Sequence, residues 1–422
     1  MTTREVHFEL EVKKWKQRIT RIEEDPDPTK LKSNKLLYEL FLDEAIERLE
    51  AWRQGKSFCD HIGPLTRAMG FYSTGNVEAA FATTQPKKYL ARAWELGLPV
   101  GTSCDMSMMP FAMMECGDLP FLSLNICEGT APCTPMKMRS IYVMYKGKGL
   151  SYPIDIGIEP DEANFNYMLD QLYGLIDFAE RIPGIKYNED RMREYQEYEE
   201  AGRALCYEMF EMLKTKPAPV AGKDTLRLGL RPTQVYTAKA VKALEARRDD
   251  LAERVAKGIA AVPGEKARLV WTMTNPVFMD VFKVLANQKI AVLTQYEGEP
   301  MRRWAPLPRK EPEWLTRRMP LKPLEKIAAN AVLGIKTARE WVDGLIWVCR
   351  SLNVDGVVNY NMVGCTEVLG IRKLVEERAQ DELGIPTLQL DGKQWDESYA
   401  DEKTITAQLN EFAAFVLGKK SS

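Results

Sequence analysis

The stretch from Val354 to Asp391 constrains the fold more than any other part of the chain. It contains an apolar run rich in β-branched residues from Val354 to Asn361, a helical run from Glu367 to Leu383, and a second apolar run from Ile385 to Leu390. Two such runs joined by one amphipathic helix are typical of a βαβ unit in a parallel sheet. We therefore predict an α/β fold.

Cys365 lies in the loop between the first predicted strand and the helix. Ligands in open α/β sheets bind outside the carboxyl ends of the strands, so a thiol at this position points into the crevice. The alternative is a buried cysteine that fills core space, as most cysteines outside disulfides do. On this stretch alone, the core interpretation is favoured.

Composition limits the class of protein. The 422 residues suggest two or three domains, and 45% apolar with 28% charged residues is typical of a globular chain. A formal net charge of -2 gives no electrostatic reason for binding to nucleic acid or to a membrane surface. The charged N-terminal residues and the absence of a long apolar run predict a cytoplasmic protein.

Patterns along the chain divide it into three parts. Residues 1–55 are predicted to form a helical N-terminal arm that caps the first domain. Residues 56–216 are predicted to form a first α/β domain with two long helices after it, and residues 217–422 a second α/β domain. The boundary is placed at the proline-rich segment that begins at Lys216.

Cysteine is the residue type that can carry metal chemistry here, because the chain has 8 cysteines and only 2 histidines. Cys104, Cys133 and Cys365 each follow a predicted strand and precede a helix, where the helix dipole favours a thiolate. The first two lie in the first domain and the third in the second, so they can meet only across the cleft between domains. Three thiolates on an iron–sulfur cube would leave one iron open. By spacing alone, buried structural cysteines remain the favoured alternative.

Four segments resemble one family of proteins. The C-terminal segment, in which a strand is followed by Cys365, a helix and a Gly-x-Pro turn, is similar to the 2-hydroxyacyl-CoA dehydratase and benzoyl-CoA reductase superfamily. Three further segments share this likeness: Leu98–Cys104, Pro132–Met138 and Gly184–Tyr195. The resemblance covers most of residues 56–418.

The resemblance implies two Rossmann-like parallel-sheet domains, with one 4Fe–4S cluster in the interdomain cleft, bound by Cys104, Cys133 and Cys365. It also implies an acyl-CoA substrate, one-electron chemistry, a homologous second cluster-binding subunit, and an ATP-hydrolysing iron–sulfur activator as electron donor. The chain contains no phosphate-binding G-x-x-x-x-G-K-[ST] loop, which agrees with ATP use by a partner. The stretch Gly184–Tyr195 favours an aromatic-CoA reductase of the benzoyl-CoA reductase type, and an (R)-2-hydroxyacyl-CoA dehydratase subunit is the alternative.

Several residues leave alternatives open. Cys127 is an alternative cluster ligand, and Cys59 is a candidate catalytic residue or further ligand. His61 is a candidate proton donor, although a loop histidine that only bonds the backbone is commoner. Cys116 and Cys349 keep open a relative with a double-cubane cluster. A non-catalytic electron-transfer subunit and a metal-free ligand-binding protein are the remaining alternatives.

Overall fold

Two parallel β-sheets with flanking helices organise the chain. The computed structural model describes residues 3–25, 27, 30–59, 63–73, 85–98, 105–128, 149–225, 236–298, 305–308, 311–334 and 337–421. The described helices are α1 (Thr3–Glu24), α2 (Asn34–Arg53), α3 (Pro64–Ala68), α4 (Pro86–Glu95), α5 (Asp105–Glu115), α6 (Glu162–Ala179), α7 (Glu189–Met212), α8 (Ala238–Lys257), α9 (Val281–Asn287), α10 (Glu313–Arg318), α11 (Pro323–Val332), α12 (Ala338–Leu352), α13 (Thr366–Leu383) and α14 (Glu402–Ser421). The described strands are β1 (Phe58–Cys59), β2 (Tyr72–Ser73), β3 (Leu124–Glu128), β4 (Leu150–Ile154), β5 (Ala267–Thr272), β6 (Ile290–Tyr296), β7 (Gly356–Met362) and β8 (Thr387–Gly392).

Both sheets have the same strand order. The first is β2-β1-β3-β4 and the second is β6-β5-β7-β8, and every recorded strand pair is parallel. In each sheet the chain starts at a central strand, adds one neighbour on one side and then crosses to the other side. This arrangement confirms the predicted α/β fold with two Rossmann-like sheets.

Three strands of the second sheet are buried on both faces. β5, β6 and β7 are buried along their whole length. Strands covered by helices on both faces need near-continuous apolar runs, and this is the pattern of these segments. The helix α13 then ends at Gly384, whose φ of 67° is left-handed, and the chain returns to pair β8 with β7.

The first sheet with its helices forms the first half of the molecule, and the second sheet with its helices forms the second half. Helices from the N-terminal and C-terminal regions of the chain pack in the apolar core of the opposite half. Trp314 of α10 and Ala328 of α11 lie in one apolar cluster with Phe165 of α6, in the first half. Conversely, Leu37 of α2 lies in the cluster that contains Val270 of the second sheet. The arm that was predicted to cap the first domain therefore also contributes α2 to the core of the second half.

Among the residues that the structure describes, no helix has the length and apolar character needed to cross a bilayer.

Candidate functional site

The strand order fixes where a ligand would bind in each half. In both sheets the chain reverses its direction of strand addition between the two central strands, which are β1 and β3 in the first and β5 and β7 in the second. Ligands of such sheets bind at this switch point, outside the carboxyl ends of the strands. The residues that follow β1, β3, β5 and β7 are therefore the candidate site.

Cys365 lies at the switch point of the second sheet, three residues after β7 ends. Its backbone N–H donates to Met362 O at 2.9 Å, and its carbonyl accepts from Leu369 N at 3.2 Å as the N-cap of α13. The side chain is half-buried and packs against the apolar cluster that contains Met362. The helix dipole of α13 and the unpaired amides of its first turn favour a thiolate at this position.

A buried hydrogen-bonded network crosses the second sheet near its carboxyl edge. Asn359 and Asn361 are fully buried and lie on the same face of β7, because they are two residues apart. Thr272 Oγ1 donates to Asn359 Oδ1 at 2.7 Å, and Asn359 Nδ2 donates to Asn361 Oδ1 at 3.0 Å. Asn361 Nδ2 in turn donates to Asp391 Oδ1 at 2.8 Å. Each of these side chains donates a hydrogen bond to the next, and the last bond ends at the Asp391 carboxylate on β8.

Arg372 and Gln389 connect this network to α13. Arg372 Nη1 donates to the two Asp391 oxygens at 3.2 and 3.3 Å, and Gln389 Nε2 donates to the Arg372 carbonyl at 3.1 Å. These bonds fix α13, and therefore its N-cap residue Cys365, over the ends of β7 and β8. The sequence reading did not single out this network. Its signal would have been two asparagines at alternate positions of an otherwise apolar strand.

A buried carboxylate joins the first half to the loop after β8. Asp105, the first residue of α5, is fully buried, and its Oδ2 accepts a hydrogen bond from Trp395 N at 2.8 Å. Burial raises the pKa of the Asp105 carboxyl, and the Trp395 amide and Lys393 oppose that effect. The sequence analysis missed Asp105 although it follows Cys104 directly.

The loop after β5 also lies at this edge and has an unusual backbone. Met273 has a φ of 59°, a left-handed conformation that is uncommon for a residue with a long side chain. Gln295 Nε2 donates to Asn275 Oδ1 at 3.0 Å and holds this loop beside the end of β6. Such backbone conformations occur preferentially near functional sites.

The first half contributes fewer described site residues. Cys59 ends β1 and is 1% exposed, within the apolar core of the first half. Cys127 lies within β3, where its backbone pairs with Pro153. Cys104, Cys133 and His61 lie outside the described residues. Of the three predicted ligands, only Cys365 can therefore be located.

Cys365 fits a thiolate ligand of a cluster, because it combines partial exposure, a helix N-terminus and the carboxyl edge of a parallel sheet. Within the described ranges, no group of three or more His, Cys, Asp or Glu side chains could hold a metal ion. Two of the three predicted ligands lie outside those ranges, so the cluster prediction itself stays open.

The other described cysteines differ from Cys365. Cys206 and Cys349 are buried in the core beside the second sheet, and burial raises the pKa of both thiols, that of Cys206 to about 12. Cys206 is therefore a core residue. Cys116, at the end of the α5 segment, is half-buried, and burial raises its pKa as well.

The chain has two α/β halves of equal strand order, and a thiol lies at the switch point of the second sheet. The chain belongs to the family described as "2-hydroxyglutaryl-CoA dehydratase, D-component", which matches residues 65–414. This match confirms the superfamily indicated by the resemblance and identifies the chain as a subunit of the dehydratase and reductase type. The helices α1 and α2 lie outside the matched region. No curated protein matches the chain.

Proposed function

We propose that the protein is the cluster-carrying subunit of an ATP-dependent iron–sulfur enzyme that acts on acyl-CoA thioesters by one-electron chemistry. The observation that carries this proposal is the family match over residues 65–414 together with Cys365 at the second switch point. The family match supports the general class of enzyme, and the position of Cys365 supports a ligand site at the second switch point.

The proposed ligands are Cys104, Cys133 and Cys365, with Cys127 as the alternative in the first half. A bound 4Fe–4S cluster with one open iron would supply a low-potential electron and a Lewis acid for a thioester oxygen. Cys365 would be held by the bond from its own N–H to the Met362 carbonyl, and its thiolate would be stabilised by the first turn of α13. The apolar cluster on which it packs would limit access of water to that side of the thiol.

The partners follow from the same proposal. A homologous second cluster-binding subunit would complete the catalytic unit, and an ATP-hydrolysing iron–sulfur activator would donate the electron. His61 is retained as the candidate proton donor. Cys59 is retained as a candidate residue at the end of β1, although its deep burial favours a packing role.

Two reactions fit the proposal, and each is favoured by one observation. The printed family description favours dehydration of a 2-hydroxyacyl-CoA. The likeness of the Gly184–Tyr195 stretch favours reduction of an aromatic acyl-CoA of the benzoyl-CoA type. In the structure this stretch leads into α7, and its backbone N–H groups donate to the carbonyls of Ala68 and Met69 at the end of α3.

The test of the proposed function is anaerobic iron and sulfide analysis, with absorption and EPR spectra, of the wild type and of Cys365→Ser. We expect about four irons per chain in the wild type, following the composition of the cluster, and their loss in Cys365→Ser. Cys116→Ser is the matched control and should retain the iron. Wild-type protein that binds no iron when produced with its partner subunit would refute the proposal. Assays of the reconstituted complex with benzoyl-CoA and with a 2-hydroxyacyl-CoA then separate the two reactions.

A further inference from the structure

The outward side of α6 combines exposed apolar side chains with carboxylates. Tyr167 and Tyr173 of α6 are 48% and 49% exposed, and Ile158, in the loop before α6, is 68% exposed. Since successive helical residues are about 100° apart around the axis, Asp170 and Asp177 lie between the two tyrosines. We call these five residues the α6 face. Apolar groups that lie together with a polar rim are typical of surfaces that bind another protein.

The loop before α6 is fixed along one side of this face. The Gln171 side chain bonds Asp155 twice, because its Nε2 donates to the Asp155 carbonyl and its Oε1 accepts from the Asp155 N–H, both at 2.7 Å. Asn164 Nδ2 donates to the Glu159 carbonyl at 2.9 Å. The side chains of Asp155 and Glu159 are exposed, so the loop holds two further carboxylates beside the α6 face. A partner would therefore meet a surface that is already ordered.

The charge in this part of the chain has one sign. Residues 150–180 contain seven acidic residues and no lysine, arginine or histidine, although the whole chain has 58 lysines and arginines against 60 aspartates and glutamates. Within the part of the chain that the structure describes, four of the seven carboxylates form no ion pair and are exposed: Asp155, Glu159, Asp170 and Asp177. A partner with lysine and arginine side chains would complement this negative surface.

The α6 face borders the carboxyl edge of the first sheet. β4 pairs in parallel with β3, and the loop that begins at Asp155 follows β4 directly. Because the carboxyl ends of parallel strands meet at one edge, this loop lies at the edge that contains the first switch point. A protein docked on the α6 face would therefore reach the side of the first sheet at which ligands bind.

We propose that the α6 face is the docking surface for the electron-donating partner, which presents a patch rich in lysine and arginine to it. This inference rests on the proposed function and adds the place and the chemistry of one partner contact. Three apolar side chains among unpaired carboxylates suit a transient complex, because electron-transfer encounters are small and are steered by charge. A permanent second subunit would cover a larger and more apolar surface.

The test uses the full-length chain in its complex with the second subunit. The probe is the ATP-hydrolysing iron–sulfur protein purified from the cells that make the complex. Asp170→Lys with Asp177→Lys reverses two charges of the α6 face, and Asp170→Asn with Asp177→Asn is the milder pair in case the reversal disturbs folding. The matched control is Asp190→Lys with Glu197→Lys, two exposed acids of α7 that have the same spacing and give the same change in net charge.

Two readouts report on docking. The first is the second-order rate constant for reduction of the complex at limiting probe concentration, measured over a range of salt concentrations. We expect the Asp170→Lys, Asp177→Lys pair to lower it at least about 10-fold at low salt, because steering raises association rates by about 10- to 1,000-fold. The difference should shrink as salt screens the exposed charges. The asparagine pair should lower the rate constant less, and the control should match wild type.

The second readout is carbodiimide coupling, which joins a carboxylate directly to a lysine that touches it. In the wild-type complex we expect mass spectrometry to find probe lysines joined to carboxylates among Asp155, Glu159, Asp170 and Asp177. Coupling of the probe only to other carboxylates would refute the docking site.

Three further outcomes would overturn parts of this reasoning. Equal rate constants in wild type and both variant pairs of Asp170 and Asp177 would refute the docking site, as would equal slowing in the control. Loss of the second subunit from the reversal pair would show that the α6 face belongs to the subunit interface instead. Wild-type complex that lacks iron, or that the probe does not reduce, would refute the proposed function, and this inference with it.

Discussion

Replacement of Arg268 by methionine should strongly destabilise the junction between α7 and the second sheet. The Arg268 and Glu265 side chains are each 2% exposed, and Arg268 Nε donates to Glu265 Oε1 at 2.6 Å. The same guanidinium donates to the carbonyls of Leu213, Lys214 and Thr215, which follow the last turn of α7. These carbonyls have no partner within the helix.

The magnitude follows from what the substitution leaves behind. Methionine fills most of the space of the arginine stem but provides no donor, so the Glu265 carboxylate remains buried without its cation. Breaking a buried ion pair by removing one partner typically costs about 3–5 kcal/mol. Glu265 Oε2 keeps one bond, from Ala218 N at 2.7 Å, which should place the cost within this range rather than above it.

The assay is denaturant unfolding followed by tryptophan fluorescence, with hydrogen exchange at the end of α7 as a local measure. Arg193→Met is the matched control, because Arg193 forms an ion pair with Glu189 in which both side chains are more than half exposed. It should leave the unfolding midpoint unchanged. The double variant Arg268→Met with Glu265→Leu should recover part of the loss, because the uncompensated charge is gone. An equal effect of Arg268→Met and Arg193→Met would show that the buried pair does not stabilise the junction.

Three further predictions concern single positions. Gly344→Ala in α12 should destabilise the protein, because a Cβ there would overlap a buried tyrosine hydroxyl. Gly370→Ala in α13 should stabilise it by about 0.5–1 kcal/mol, because a Cβ there meets no atom within 4 Å. Melting curves of both variants check the opposite signs. In the native protein an alkylating reagent should modify half-buried Cys116 before Cys206, whose pKa burial raises to about 12; mass spectrometry of timed samples measures the order, and faster labelling of Cys206 would contradict its burial. The pKa of Asp401 is lowered because its carboxylate accepts a hydrogen bond from the Thr404 amide. Asp401→Ala should therefore destabilise α14 at neutral pH. The difference in stability from wild type should vanish as the pH falls through the lowered pKa, below the ordinary value of about 4.

Strands of the second sheet could be predicted from the sequence, because a strand buried on both faces needs a continuous apolar run. The two apolar runs predicted as strands, Val354–Asn361 and Ile385–Leu390, overlap β7 and β8. β1 and β2 have two residues each, which is too short for any period to appear. The packing of α10 and α11 on the first half could not be predicted, because no local signal states which distant surface a helix will cover.

The candidate site was predictable in the same uneven way. The position of Cys365 between a buried strand and a helix can be predicted from the neighbouring residues, and the structure has Cys365 at this position. The contact of Asp105 cannot be predicted from its neighbours, because its partner is 290 positions away and an aspartate at the start of a helix is ordinary. Four methionines of α5 fill the core, since Met108, Met109, Met113 and Met114 are at most 2% exposed.

The exchange of helices between the two halves has a consequence for synthesis on the ribosome. Domains usually fold as units while the chain emerges, with the N-terminal one first. Here the apolar cluster of the first half is incomplete until Leu333 has left the exit tunnel, because α10 and α11 supply part of it. We therefore expect the first half of the growing chain to stay protease-sensitive well past Lys216 and to gain protection only after α11 has emerged. Ribosome-bound chains stalled before and after α11 would show this as a change in the protection of the first half.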